Sequence, residues 1–402
     1  MPNADDKSIR LLLVLPFFYP HRGGSQKYAE EIYATMMKNH SGVSVDVLCY
    51  NTDQVLEFEK YRNFRVFRVP CWNILPARFA LAYPWSLIRT LFKLSKNKYQ
   101  YVNTHIRFFD PTWWLWAYAK IIGAKSIFTG HVASHPIHQS KIVELVGLLT
   151  DLTVAKLALK FYDYITFTNA TAQKFFKDRL GVKKPSYLVY GGVDTNFFKP
   201  SENKSGRIIP KLGKNIPDNA IIITFVGRLI WTKGVTFLYD AAKKLCNDAN
   251  FKDAVFVFAG PGELEKELSD KIRQDGLQER VFMTGNISYT QVRDLLSITD
   301  IFINPSHHNE GFPNTVLEGG SAGAYVIATD NAGTWEVIRN GKTGQLIPQR
   351  NVNAIIESLT WAVKHPYERN KIAQNFRKEL VEKFDWNVIS EQLYNILKEG
   401  LE

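Results

Sequence analysis

IRLLLVLPFFYPHRGGSQKYAEEIYATMMK, residues 9–38, reads as a strand, a glycine-bearing loop and a helix, in that order. Ile9–Leu15 is apolar apart from Arg10, as a parallel strand covered on both faces would be. From Lys27 to Lys38 the apolar residues Tyr28, Ile32 and Met36 fall at helical spacing. Strand-like runs then recur at Val43–Tyr50, Phe64–Val69, Tyr101–His105, Ser126–Thr129, Tyr164–Thr168 and Tyr187–Tyr190, with helical stretches between several of them. Strands alternating with helices imply a doubly wound α/β domain.

The chain has 402 residues, too many for one ordinary domain and suited to two. KPSENKSGRIIPKLGKNIPDN, residues 199–219, is polar and rich in Pro, Gly, Lys and Asn, and reads as the linker. A second alternation follows it, with strand signals at Ala220–Val226, Ala254–Ala259, Arg280–Thr284, Ile301–Asn304 and Tyr325–Thr329. The expectation is an N-terminal domain over 1–198 and a C-terminal one over 199–384. A last helix, about 385–402, is expected to pack back on the first. A cleft between two such domains is a common place for a small ligand.

Cys49, Cys71 and Cys246 are scattered, with no CxxC pair, so neither a disulfide framework nor a cysteine zinc site is expected. That points to a reducing, cytoplasmic compartment. The opening MPNADDKS is polar and acidic, unlike a signal peptide. The most apolar later stretch, Ile142–Tyr162, is broken by Glu144, Asp151, Lys156 and Lys160, so no spanning helix is expected. Charge is uneven. Residues 1–200 carry 26 Lys and Arg against 14 Asp and Glu, whereas residues 201–402 carry 24 against 25. The excess speaks to partners rather than fold. Within 71–122, Trp72, Phe79, Tyr83, Trp85, Phe92, Trp113, Trp114 and Trp116 interleave with Arg78, Arg89, Lys93, Lys96, Lys98 and Lys120. Exposed aromatics on a basic helix suit the surface of an anionic membrane, here the inner face; ordinary core packing with a solvated basic face is the competing reading. No nucleic-acid-binding module is recognisable.

Three stretches can carry chemistry. Gly23-Gly24 lies between the first strand and first helix, where backbone approaches a ligand closely and a helix end attracts phosphate; a bare strand-to-helix turn is the alternative. In FVGRLIWTKGV, residues 225–235, Arg228 and Lys233 follow a strand end and could neutralise a diphosphate, or be solvated surface charges. In NPSHHNEGFPNTVLEGGSAGAYVIATD, residues 304–330, Gly311 and Pro313 mark a turn into a helix. Glu310 precedes that helix and Glu318 lies about one turn into it, with backbone N–H groups between. Such carboxylates accept hydrogen bonds from hydroxyls, and the N–H groups suit phosphate; a capping role is the alternative for Glu310. In HVASHPIH, His131, His135 and His138 suggest a metal site, but no nearby Cys or carboxylate completes one, so no metal is expected. His307 and His308 read as loop residues.

EGFPNTVLE resembles the Glu-(seven residues)-Glu signature of glycosyltransferase family 4, retaining enzymes of the GT-B fold. GGSQ (23–26), GH (130–131), GGVDTNFFKP (191–200), GRLIWTKG (227–234), FAGPGE (258–263) and NAGTWEVIRNGKTG (331–344) resemble other motifs of that family, in family order. The resemblance implies two Rossmann-like doubly wound domains facing across a cleft, with an acceptor-binding first domain and a donor-binding second. It implies transfer of a sugar from a nucleoside diphosphate sugar to a glycan or lipid-linked acceptor, with neither cofactor nor metal. By the same resemblance Arg228 and Lys233 bind the donor diphosphate and stabilise it as it leaves. Glu310 meets the sugar hydroxyls, Gly311, Phe312, Asn314 and Thr315 contact sugar and phosphate, and Glu318 accepts from the ribose hydroxyls. Gly24 brings a backbone N–H, and His131 approaches the sugar, from the first domain. The same fold admits a catalytically silent nucleotide-sugar-binding scaffold, a sugar-nucleotide epimerase or a glycoside phosphorylase.

Overall fold

In the first half of the chain the strands are β1 (Ile9–Val14), β2 (Val43–Tyr50), β3 (Phe58–Tyr61), β4 (Phe64–Val69), β5 (Cys71–Leu75), β6 (Phe79–Ala82), β7 (Tyr101–His105), β8 (Lys125–Gly130), β9 (Tyr164–Phe167) and β10 (Tyr187–Leu188). Eight of them form one sheet in the order β10-β9-β8-β7-β1-β2-β4-β3, parallel except for the β3–β4 pair. These coordinates come from a computed structural model that describes residues 8–21, 23–75, 79–135, 141–202, 206–307, 312–331 and 333–401.

The chain divides into two units, Met1–Gly191 with Trp386–Glu402, and Gly192–Asp385. In the first, alternate residues of β1 enter opposite layers. Leu11 and Leu13 pack with Tyr28, Ile32 and Met36 of the Gly24–Asn39 helix and with Ile389 and Leu393 of the last helix. Leu12 and Val14 pack with Leu91, Leu94, Leu115 and Ala119 on the other face. That two-sided burial is why the strand is so apolar. The last helix, Trp386–Glu399, is fastened by Tyr101, whose hydroxyl donates to the Leu397 carbonyl at 2.5 Å, and by His40 bonded to Glu391 at 2.7 Å.

The second unit contains β11 (Arg207–Ile209), β12 (Lys214–Ile216), β13 (Ile221–Val226), β14 (Ala254–Ala259), β15 (Val281–Gly285), β16 (Ile301–Asn304), β17 (Tyr325–Thr329) and β18 (Gln345–Ile347). Six are all parallel, ordered β15-β14-β13-β16-β17-β18. The boundary falls at 191/192 rather than the expected 198/199. Thr195 donates from its N–H (3.1 Å) and its hydroxyl (2.5 Å) to Asp385, and the Phe198 carbonyl accepts from Ser321 at 2.7 Å and Arg377 at 3.1 Å, so 192–198 is tied into the second unit.

The expected linker is not one. Arg207 and Ile209 to Ile216 form the β11–β12 hairpin, with Ile209 and Ile216 buried against β13 and β14 residues Ile222, Val255 and Val257. Its anchor is Arg207, buried, paired with Asp300 at 3.0 Å and donating to the carbonyls of Pro217, Asp218 and Ala220.

The aromatic and basic stretch also differs from expectation. Trp113, Trp114 and Trp116 are half-buried, their indole N–H groups donating to the Arg107 carbonyl, Asp110 and the Trp113 carbonyl. Among the described residues of 71–122, the exposed large aromatics are Trp72 of the β5–β6 hairpin, Tyr83 just before the Pro84–Ser95 helix, and Trp85 and Phe92 on it. Arg78 lies outside the described residues. Among those described, no helix is long and apolar enough to cross a membrane.

Arg207→Met takes the guanidinium from the largely buried Asp300 carboxylate, which keeps the Ile222 N–H at 3.0 Å, and breaking such a buried pair costs about 3–5 kcal/mol. Equilibrium urea unfolding should show that loss in the transition of the second unit. A change below about 1 kcal/mol, the range of an exposed pair, would contradict the anchoring role.

Candidate functional site

In the second unit the strand order reverses direction between β13 and β16, and open α/β sheets bind ligands outside the carboxyl ends of strands at such a point. Arg228 and Lys233 leave the end of β13. Their loop is fixed from one side by the turn after β14: the Leu229 N–H donates to the Pro261 carbonyl (2.8 Å) and the Leu264 N–H to that of Leu229 (3.0 Å). Gly260 has φ +135°, and a β-carbon there would sit 2.1 Å from the Gly227 carbonyl oxygen. From the other side, the Thr232 carbonyl accepts from the His307 N–H (3.0 Å) and the Ser306 hydroxyl (3.2 Å). Gly234, at φ +69°, ends the Trp231–Lys233 turn, and a β-carbon there would lie 2.1 Å from the Pro305 carbonyl oxygen. Only glycine fits both positions. On this fixed backbone the Arg228 side chain is exposed and Lys233 half-buried.

After β16 the chain passes through Ser306 and His307. His307 stands in the loop, as expected, and is buried there with its ring edge-on to Trp231 at 4.2 Å. His308, Glu310 and Gly311 lie outside the described residues. Phe312 is half-buried, 6.0 Å from the Phe384 ring. Pro313 caps the Asn314–Ser321 helix, with Asn314 and Thr315 half-buried in its first turn. Glu318 is the fifth residue of that helix and only 6% exposed; it accepts from the Tyr289 hydroxyl at 3.4 Å. A carboxylate buried this far needs polar company. Tyr289, which the sequence reading missed, opens the Tyr289–Ser297 helix behind a Ser288/Gln291 capping box, and its ring stacks on Phe197 at 5.1 Å. The capping box was the available signal. Arg228, Lys233 and the 312–318 segment thus lie along the carboxyl edge of one sheet.

The first unit carries its own set. Its order reverses between β1 and β7. Gly24 begins the helix after β1 and is exposed, and a β-carbon there would meet nothing within 4 Å, so packing does not demand glycine. Tyr28, one turn on, sets its ring edge-on to His131 at 5.1 Å. His131 follows β8 and bonds through Nε2 to Nδ1 of His105 (2.9 Å), the last residue of β7.

A chain of hydrogen bonds fixes the protons on both rings. Asn103 donates its amide to the Ile127 carbonyl (3.1 Å), so its Oδ1 is the acceptor for Tyr33 (3.0 Å) and for His105 Nε2 (2.6 Å). His105 therefore carries its proton on Nε2, and its Nδ1 accepts from His131 Nε2–H. His131 is left with Nδ1 as an acceptor. Although His131 keeps some solvent exposure, burial of its ring brings its pKa down to about 3; burial, and then the neighbouring His131, hold His105 well below the ordinary value. Nothing in the sequence pairs residues 105 and 131 beyond their both standing at strand ends.

His135 turns elsewhere. It bonds Asp151 at 2.8 Å, so a carboxylate does stand beside the HVASHPIH stretch, contrary to expectation. That carboxylate is already the partner of Arg107, at 2.5 Å and fully buried. His138 lies outside the described residues, and among those described no group of three His, Cys, Asp or Glu could hold a metal.

Imidazole NMR should show both His105 and His131 protonated on Nε2 at pH 7, with His131 still neutral at pH 5. Since its folded pKa is depressed, the unfolded chain takes up protons first as pH falls, and stability is lost between about 6.5 and about 3. A charged His131 at pH 5, or a proton on its Nδ1, would contradict the hydrogen-bond chain.

Two family models match: Glycosyltransferase Family 4 over residues 22–197 and Glycosyl transferases group 1 over 211–379. An uncharacterized glycosyltransferase of Methanocaldococcus jannaschii is 24% identical over 94% of this chain and 96% of its own. The UDP-Gal:alpha-D-GlcNAc-diphosphoundecaprenol alpha-1,3-galactosyltransferase of Escherichia coli is 28% identical over 80% of each chain. Among solved structures, Anabaena HepE in complex with UDP superposes with a TM-score of 0.77 at 18% identity, over 97% of this chain and 100% of that one. The two matched domains, with the two doubly wound sheets, place the chain in the family-4 type of glycosyltransferases, with the GT-B fold.

Proposed function

We propose that this glycosyltransferase moves a sugar from a nucleoside diphosphate sugar to a glycan or lipid-linked acceptor, with retention and without a metal. The observation that carries the reading is the pair of cations on a doubly fixed loop at the end of β13, one strand from the helix that buries Glu318. Preorganised charge stabilises a leaving group without reorganisation at the moment of reaction. In the reaction the bond from the anomeric carbon to the diphosphate oxygen breaks, an acceptor oxygen bonds to the same face, and the acceptor proton passes to the departing phosphate. Arg228 and Lys233 neutralise the diphosphate as its charge grows. Glu318 accepts from the ribose hydroxyls, Glu310 from those of the sugar, and Gly311, Phe312, Asn314 and Thr315 complete the donor contacts. From the first unit, Gly24 offers a backbone N–H to phosphate, and His131 offers Nδ1 to a sugar hydroxyl. The relative from Escherichia coli supports this donor and acceptor by its name, which gives a UDP-sugar and a diphosphoundecaprenol-linked acceptor. The enzyme works in the cytoplasm, at the inner membrane face. The Pro84–Ser95 helix, with Trp85, Ile88 and Phe92 exposed beside Arg89 and Lys93, touches the anionic surface.

Arg228→Ala and Lys233→Ala should each lower turnover about 10²–10³-fold while the fold survives, as loss of one preorganised contact does. Acceptor-dependent release of nucleoside diphosphate is the assay, and it also separates transfer from a silent scaffold. Near-normal turnover in both variants would sink the diphosphate role.

Glu318→Gln keeps the shape of the buried side chain and removes its charge. Calorimetric titration should show nucleoside diphosphate binding about 10-fold or more weaker, the worth of a charged hydrogen bond. Unchanged affinity would rule out the ribose contact.

A further inference from the structure

The first unit has a surface that neither transfer nor the Pro84–Ser95 helix explains. The helix Lys141–Thr150 runs without a break into a π turn, Asp151–Ala155, and a last turn, Lys156–Leu159. Its inward side is short: Asp151, Ala155, Ala158 and Leu159 are buried, and the Lys141–Thr150 part buries no residue at all. Its outward side is aliphatic. Ile142 is 76% exposed, and Leu145, Val146, Leu149, Leu152 and Leu157 are each close to half exposed or more. Exposed apolar rows of this size mark a partner.

The acidic groups of the segment are spent. Asp151 points inward to Arg107 and His135, and Glu144 pairs with Lys141 at 3.1 Å. At the far end the apolar row runs into cations. Lys156, Lys160, Lys183 and Lys184 surround a cavity of about 410 Å³ floored by Leu159, Leu180 and Val182. The Lys156 chain lies across Gly181, 3.5 Å from where a β-carbon would stand. Lys184 donates to the Tyr162 carbonyl at 2.6 Å. Among the described residues, no carboxylate lies within ion-pair distance of Lys156, Lys160 or Lys183. An aliphatic face ending in unneutralised lysines has the make-up of a helix lying in a membrane interface, and the lysines select anionic lipid.

We propose that the Lys141–Leu159 segment seats in the interface of an anionic membrane, its aliphatic row among the acyl chains and its four-lysine cavity around a lipid phosphate. The surface is separate from the Pro84–Ser95 helix and does not depend on the identity of donor or acceptor.

The test is sedimentation of the full chain with vesicles of phosphatidylcholine alone and of phosphatidylcholine mixed equally with phosphatidylglycerol. Three variants are compared: L145Q/L149Q, K156Q/K160Q/K183Q and, for the other helix, R89Q/K93Q/K96Q/K98Q. The wild type should prefer the mixed vesicles. Each lysine near such a surface is worth about 1 kcal/mol, so the triple lysine variant should lose about 100-fold in partition at low salt. L145Q/L149Q should lose at least about 10-fold on both vesicle types. Nucleoside diphosphate binding by both variants should match the wild type, which separates failure here from failure of the donor site. Leu149→Trp in the otherwise unchanged chain should gain quenching from brominated acyl chains. Wild-type sedimentation by both variants, loss only in the Arg89 to Lys98 variant, or no added quenching at position 149 would overturn the proposal. So would L145Q/L149Q converting a dimer to a monomer with vesicle binding intact, since the face would then join two copies of this chain.

Discussion

The proposed donor site depends on one constraint, that the backbone from Gly227 to Gly234 is held from two sides at once. The turn after β14 closes on Leu229, and the end of β16 closes on Thr232. Gly260 and Gly234 make both approaches close enough that no side chain could intervene. A free loop of this length would pay roughly 1–2 kcal/mol per residue to become ordered around a ligand. Here the order comes with folding, so in the proposed site a diphosphate would meet Arg228 and Lys233 on a backbone already in place. Affinity and transition-state stabilisation both gain from such preorganisation.

The other unit is built on the opposite electrostatic principle. At its strand ends burial keeps two imidazoles neutral, and the hydrogen-bond chain from Asn103 through His105 to His131 places their protons. A neutral His131 with its proton committed to His105 is an acceptor at Nδ1, suited to a hydroxyl and unsuited to an anion. The cationic groups of this unit lie elsewhere, on Arg107, which Asp151 neutralises, and on the lysines of its surface.

Much of this was legible in the sequence. Most strands of both sheets stood out because parallel strands covered on two faces are apolar along their whole length, whereas the edge strands β3 and β18 did not; the Gly24–Asn39 helix showed its buried stripe at Tyr28, Ile32 and Met36. The position of Glu318 one turn into a helix followed from Pro313. What was hidden depends on partners far along the chain. The polar run at 199–219 looked like a linker because its anchor, Arg207, finds Asp300 only in the folded sheet. The three tryptophans from 113 to 116 are a different case: the partners of their N–H groups, Arg107, Asp110 and Trp113, are only three to six residues away, but apolar and basic residue types do not by themselves show which way the rings turn. His105 gave no sign of its bond to His131, since two neighbouring parallel strands bring them together. Ile142 to Tyr162 read as a broken apolar run, and only the inward turn of Asp151 shows that the outer face of its helical part is free of acids apart from Glu144.

A crystal structure of the protein with a nucleoside diphosphate bound tests the central claim most directly. The diphosphate should lie at the end of β13 within hydrogen-bond distance of Arg228 and Lys233, with both ribose hydroxyls donating to Glu318. A diphosphate bound away from the carboxyl edge of this sheet, or a ribose facing away from Glu318, would contradict it.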